Sequence, residues 1–159
     1  MNYRITIEEL RSQIEYLSII VEWLYKEWGN HNRKYWTSWV QHSMQENDIP
    51  KTYILFVDGH LAGTYSLWRC DLQSRQDLFP WFGGLYVAPA YRGQSFNGKK
   101  LGEILQCHAM SELKRLNYQE VYLFTSHSPE YYNRNGWEYL CQAPDENDQL
   151  VNICHRTIN

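Results

Sequence analysis

The chain has 159 residues, 43% of them hydrophobic, and 15 basic against 18 acidic side chains leave a formal charge of −3. That length supports a real core without disulfide or metal staples, so one domain over residues 1–159 is expected. The mild acidity argues against a general nucleic-acid binder, no apolar run reaches the roughly 18 residues of a membrane span, and Glu8, Glu9 and Glu15 argue against a secretion signal.

Thr6-Ile7-Glu8-Glu9 fits a capping box, with Thr6 as N-cap and Glu9 reaching back. Leu10, Ile14, Leu17, Val21, Leu24 and Trp28 follow at helical spacing, and Gly29-Asn30 is the expected stop. A second helix is expected over 33–45, with Trp36, Trp39 and Val40 on one face. Asn47-Asp48-Ile49-Pro50 ends it. The period then changes. Thr52 to Val57 and His60 to Arg69 read as strands joined by Asp58-Gly59, a two-residue hairpin signal. Cys70 to Pro80 reads as a loop, and Trp81 to Ala88 as a strand. Gly83-Gly84 inside that strand points to a bulge or a close backbone approach.

Tyr91 to Gly98 is a glycine-bearing loop that runs into a helix over 99–116. Leu101, Ile104, Leu105, Ala109, Leu113 and Leu116 face inward on it. Glu120 to Thr125 is nearly continuously apolar and reads as a central strand. A short helix from Pro129 to Arg134 is closed by Asn135-Gly136. Trp137 to Cys141 and Leu150 to His155 are two last strands around a polar loop. The order is ααββ-β-α-β-α-ββ, an α+β sheet protein with one strand–loop–helix unit at its centre.

The cysteines, Cys70, Cys107, Cys141 and Cys154, form no C-x-x-C pair. They read as reduced thiols filling the core of a cytoplasmic protein, and no metal is expected. Aromatics make up 16% of the chain, with seven Trp. They fit a heavily packed core, and an aromatic-walled pocket stays open beside it.

The loop before the long helix carries the chemistry. In Arg92-Gly93-Gln94-Ser95-Phe96-Asn97-Gly98-Lys99, glycines let the main chain approach an anion. The helix start supplies unpaired N–H groups, and Arg92 and Lys99 add charge. Gly93-x-x-x-x-Gly98-Lys99 also matches a P-loop, but Lys100 stands where Ser or Thr must hold magnesium.

Leu85-Tyr86-Val87-Ala88-Pro89-Ala90-Tyr91-Arg92-Gly93, followed by Gly98-Lys99-Lys100-Leu101, resembles the coenzyme A motif of the GCN5-related N-acetyltransferase (GNAT) family. Tyr132-Asn133-Arg134-Asn135-Gly136-Trp137 is similar to that family's Tyr-x-x-x-Gly-aromatic signature. Ser95 stands where the common motif has a glycine, and the strand lacks the glutamate that some members use as a base. The resemblance implies a GNAT-like fold, a central mixed and mostly antiparallel twisted sheet flanked by helices. It implies an acetyl-CoA-dependent N-acetyltransferase acting on a primary amine by direct attack in a ternary complex. It assigns pantetheine contacts to Leu85, Tyr86 and Val87, and pyrophosphate contacts to Arg92 through Lys99.

Tyr132 is the candidate donor to the leaving sulfur, because a phenol stays protonated at neutral pH. Tyr131 beside it is expected to pack inward. Asp77, His127 and bulk water are the alternatives for the base. The acceptor is a small-molecule or peptide amine, with Glu22, Asp71 and Asp77 available to attract it beside Trp23, Trp28, Trp36 and Trp39. No nucleic acid or membrane partner is expected, and a homodimer is open. A non-catalytic acyl-CoA-binding module on the same fold is the second reading. A cysteine hydrolase has no Cys at a helix start beside a His to support it.

Overall fold

The computed structural model describes residues 1–29 and 31–159. Seven strands form one mixed sheet in the order β1-β2-β3-β4-β5-β7-β6. They are β1 (Ile5–Glu9), β2 (Lys51–Val57), β3 (His60–Trp68), β4 (Trp81–Val87), β5 (Glu120–Thr125), β6 (Glu138–Pro144) and β7 (Leu150–Thr157). Four helices accompany them: α1 (Leu17–Trp28), α2 (Arg33–His42), α3 (Leu101–Arg115) and α4 (Glu130–Arg134). The chain divides into two compact units, residues 1–67 with 84–108 and residues 68–83 with 109–159.

In the first unit, β1, β2 and β3 pair antiparallel. Asp58 (φ 49°) and Gly59 (φ 83°) make the tight turn between β2 and β3, as the Asp-Gly pair requires. β2 is buried on both faces. One face carries Ile54 and Phe56 into a cluster with Leu10, Ile20, Val21, Leu24 and Val40 from the chain around α1 and α2. On the other, Tyr53 stacks on Tyr65 at 4.8 Å, and the Tyr65 hydroxyl meets His108 Nδ1 of α3 at 2.8 Å. A fully buried leucine such as Leu24 adds about 2–3 kcal/mol by leaving water.

The amino terminus departs from the sequence expectation. Thr6 to Glu9 is not a helix start but part of β1, registered against Val57 to Tyr53. Ile5, Thr6 and Ile7 are β-branched, and strand pairing outweighs the capping-box pattern. Two short 3-10 turns follow, and α1 begins only at Leu17. Ile14, expected inward, is 61% exposed. The expected stop extends to Asn30, which lies outside the described residues.

In the second unit, β5 pairs antiparallel with β7, which pairs antiparallel with the edge strand β6. The start of β4 joins β5 in parallel at Trp81↔Tyr122. Trp81, Val121, Leu123, Trp137 and Ile153 are buried there. The loop before β4 is fastened within this unit. Trp81 Nε1 donates to the Leu78 carbonyl at 2.8 Å, and Ser74 Oγ donates to the Pro144 carbonyl at 2.6 Å.

The cysteines do not behave as a group. Only Cys154 is buried, while Cys107 is exposed and Cys70 and Cys141 are intermediate, so core filling describes one thiol and not four. No helix among the described residues is long and apolar enough to cross a membrane.

Candidate active site

The loop after β4 is more structured than a bare turn. α3 begins at Leu101, so Lys99 precedes the helix. Phe96 and Lys99 exchange main-chain hydrogen bonds of 2.7 and 3.1 Å. Asn97 (φ 53°) and Gly98 (φ 85°) turn between them, the left-handed pair that an Asn-Gly dipeptide favours. Phe96 is buried and sits edge-on to the Tyr3 ring at 4.9 Å. The Asn97 side chain clasps the Tyr3 main chain, accepting from its N–H at 2.9 Å and donating to its carbonyl at 2.8 Å.

Other side chains of the loop are likewise turned onto the protein. Arg92 Nε donates to the Val87 carbonyl at 2.6 Å, and its guanidinium lies 5.0 Å from the centre of the Tyr86 ring. Gln94 donates to the Ala90 carbonyl at 2.6 Å. The main chain is the part left open. Among the described residues, the N–H groups of Gly93, Gln94 and Ser95 donate to no main-chain carbonyl. At the helix start, the Lys100 N–H donates to Glu103 Oε2 at 3.0 Å. Leu101 and Gly102 are first-turn residues whose N–H groups have no intrahelical acceptor.

In the second unit, Tyr132 lies on α4 with its ring half-buried. It stands edge-on to Tyr131 at 4.9 Å and to Trp137 at 6.4 Å. Burial first, then the neighbouring Tyr131 and Cys154, push its phenol up to about 12. It therefore stays a proton donor across the neutral range. Its carbonyl accepts the N–H groups of Asn135 and Trp137, and Gly136 turns the chain at φ 88°. This is why the Tyr-x-x-x-Gly-aromatic spacing is rigid. Tyr131 is 38% exposed, contrary to its expected inward packing. Of the two tyrosines it is Tyr132 that holds the enclosed position.

A family model for the acetyltransferase (GNAT) family matches residues 15–137. The chain belongs to the GNAT acetyltransferase family. Solved structures agree on the fold at identities too low to carry more than the fold. An aminoglycoside 6'-acetyltransferase type Ii is similar with a TM-score of 0.70 at 17% identity over 97% of both chains. The aminoglycoside 6'-N-acetyltransferase of Enterococcus faecium gives 0.72 at 14% identity over 97% of both. A Salmonella typhimurium protein described as an acetyltransferase, with its cofactor acetyl-CoA, gives 0.67 at 15% identity over 98% of this chain and 94% of that one. No curated protein sequence matches the chain.

The loop of this GNAT acetyltransferase offers main-chain donors of the kind that can hold an anionic group. A Cβ added at Gly93 or Gly98 would meet nothing within 4 Å, so both are glycines for their positive φ and not for lack of room. Three consecutive open N–H groups leading toward a helix start suit a pyrophosphate. Ser95 and Lys99 are exposed. Phe96 and the Asn97 side chain are committed to the amino-terminal segment and act as scaffold. Leu85, Tyr86 and Val87 are half-buried on β4, with Trp23 against the Tyr86 ring at 4.9 Å.

The expected acidic and basic groups stand in unequal surroundings. Asp77 is exposed and gripped by Arg75 through two hydrogen bonds of 2.9 Å. The guanidinium holds its carboxyl below the usual range, which makes it a poor base. His127 is exposed, and its main chain is tied to Thr125 Oγ1 at 3.2 Å and Asn152 Nδ2 at 3.0 Å. Glu22 is occupied by Arg33 at 2.8 Å and Lys26 at 3.5 Å. Among the acids named from sequence, Asp71 differs most. Burial alone lifts its carboxyl to about 7, with no hydrogen bond or charge offsetting it. The sequence places Asp71 only among acids that attract an amine. Its surroundings come from packing against Gly83, which no local pattern announces.

Proposed function

We propose that this protein transfers the acetyl group of acetyl-CoA to a primary amine, by direct attack with both substrates bound. The observation that carries the reading is the loop from Gly93 to Ser95. It presents open main-chain donors at the place where the matched family binds its coenzyme. Arg92 through Lys99 hold the pyrophosphate, chiefly by main-chain N–H groups, and Lys99 adds charge. The main chain of Leu85, Tyr86 and Val87 orients the pantetheine arm. Acetyl-CoA, when bound, supplies an activated thioester. Tyr132 holds a proton on its phenol oxygen for the departing sulfur, and its burial keeps that proton in place until a thiolate forms.

The acceptor is a small molecule or peptide bearing a cationic amine. Two proteins of like fold are named for aminoglycosides, polycationic amines, which supports that class. The test is a melting curve with acetyl-CoA and, separately, with ATP and magnesium. Acetyl-CoA at about 100 times its Kd adds about 2.7 kcal/mol of stability. A shift with acetyl-CoA alone is expected. A shift with ATP and magnesium alone would return the loop to the P-loop reading.

A further inference from the structure

We propose that Asp71 is the base that takes the proton from the acceptor ammonium. The proposal rests on the acetyltransferase reading above and deepens it. Its geometric basis is the contact between the loop before β4 and Gly83 on that strand. A Cβ at Gly83 would lie 2.5 Å from Asp71 Oδ2 and 2.8 Å from Trp68 Nε1 and Cδ1. Any side chain at 83 would expel the carboxylate, so the missing side chain makes the space Asp71 fills. Gly84, at φ 61°, turns the strand at the next residue. Asp71 retains partial solvent access, so it is reachable as well as enclosed.

The charged groups around it leave it uncompensated. Arg75 is spent on Asp77 and on Cys141 Sγ at 3.1 Å. Arg69 lies over the Phe79 ring at 5.8 Å. Cys70, next in the chain, has its thiol raised by burial first, lowered by the Leu72 main chain and raised again by the Asp71 charge. β4 brings no ionisable side chain to this point, since its residues here are Trp81, Phe82 and Gly83. A carboxylate so placed titrates near neutrality. An ordinary aspartate is too weak a base for an ammonium, whereas a base poised near the working pH combines occupancy with driving force.

The balance is simple. Asp71 accepts one proton from the ammonium and becomes neutral. The freed nitrogen lone pair forms the C–N bond to the thioester carbonyl carbon, and the C–S bond breaks. The sulfur takes up the Tyr132 proton, and one of the two protons left on the nitrogen restores the phenol while the other stays on the amide. Asp71 then gives its proton to water. One acetylated amine, one free thiol and one proton result.

The test combines two readouts. The Asp71 carboxyl carbon is followed by NMR in 13C-labelled wild type, and titration near pH 7 is expected. Thiol release from acetyl-CoA is measured against pH with kanamycin, spermidine and lysine methyl ester as probe amines. In wild type kcat/KM rises through about pH 7. Asp71→Asn is expected to lower kcat by about 10²-fold or more and to remove that limb. Its melting shift with acetyl-CoA is expected to persist. Gly83→Ala, which displaces the carboxylate without removing it, is expected to lower kcat as well and to move the titration toward the ordinary range. Titration near pH 4 in wild type, or an Asp71→Asn enzyme within about twofold of wild type, overturns the base. If wild type releases no thiol with any probe, or acetyl-CoA gives no melting shift, the transferase reading falls and the base with it.

Discussion

Two loops border β4 in the chain, and they handle polar groups in opposite ways. The loop before it, residues 70–80, encloses one side chain, Asp71, that nothing charged or hydrogen-bonded compensates. The loop after it, residues 88–100, turns Arg92, Gln94 and Asn97 onto neighbouring main-chain carbonyls and leaves main-chain N–H groups open. The difference teaches where chemistry resides. On the proposed reading one functional group acts in the first loop, and exchanging a single oxygen for nitrogen reaches it. In the second the backbone would act, so only changes that alter φ or register are expected to be felt strongly.

The largest effect that would sharpen this contrast is on stability. Asp71 titrates at about 7 in the folded protein, above the ordinary aspartate range. The folded state thus binds more protons than the unfolded chain between about pH 4 and 7, and stability is lost as pH rises through that window. The cost above pH 7 is at most on the order of 4 kcal/mol. Asp71→Asn is expected to melt higher than wild type at pH 8, with the advantage gone at pH 4. An advantage that does not vary with pH would break the contrast. Next in size, Tyr132→Phe is expected to lower kcat by about 10²-fold while the acetyl-CoA melting shift survives. Smaller again, Gly98→Asp forces a side chain into φ 85° and is expected to raise KM for acetyl-CoA by about tenfold, with kcat at saturation kept. Least of all, Asp77→Asn releases an exposed pair with Arg75 and is expected to leave the kcat and pH profile unchanged. Loss of the neutral limb in that variant would move the base from Asp71 to Asp77.

Much of this architecture is legible in the sequence because it is locally encoded. Asp58-Gly59, the period-3.6 pattern of α3 and the apolar run of β5 each specify their element without help from distant residues. The first strand is not legible in that way. Thr6-x-x-Glu9 satisfies the rules of a helix start, and only the pairing of β1 with β2 overrules them. The Asn97-Gly98 turn had a readable signal in its dipeptide, and the glycine's place in the coenzyme motif obscured it. The site divides the same way. Tyr132 lies in a spaced signature that the Tyr132–Trp137 hydrogen bond explains. Asp71 and Asp77 are near-equivalent as letters, six positions apart. One is enclosed against Gly83 and the other is held by Arg75, and that distinction exists only after folding.

The clasp between Asn97 and Tyr3 spans 94 positions of chain. The loop after β4 is therefore finished by residues far away in the chain, and its final shape depends on a long-range closure. Fraying of the edge strand β1 and loosening of this loop draw on the same contacts. By linkage, a ligand that braces the loop braces the strand. Acetyl-CoA is expected to slow hydrogen exchange at the amides of Ile5 to Glu9, although none of these residues is assigned a contact with it. Unchanged exchange there would show that strand and loop open independently.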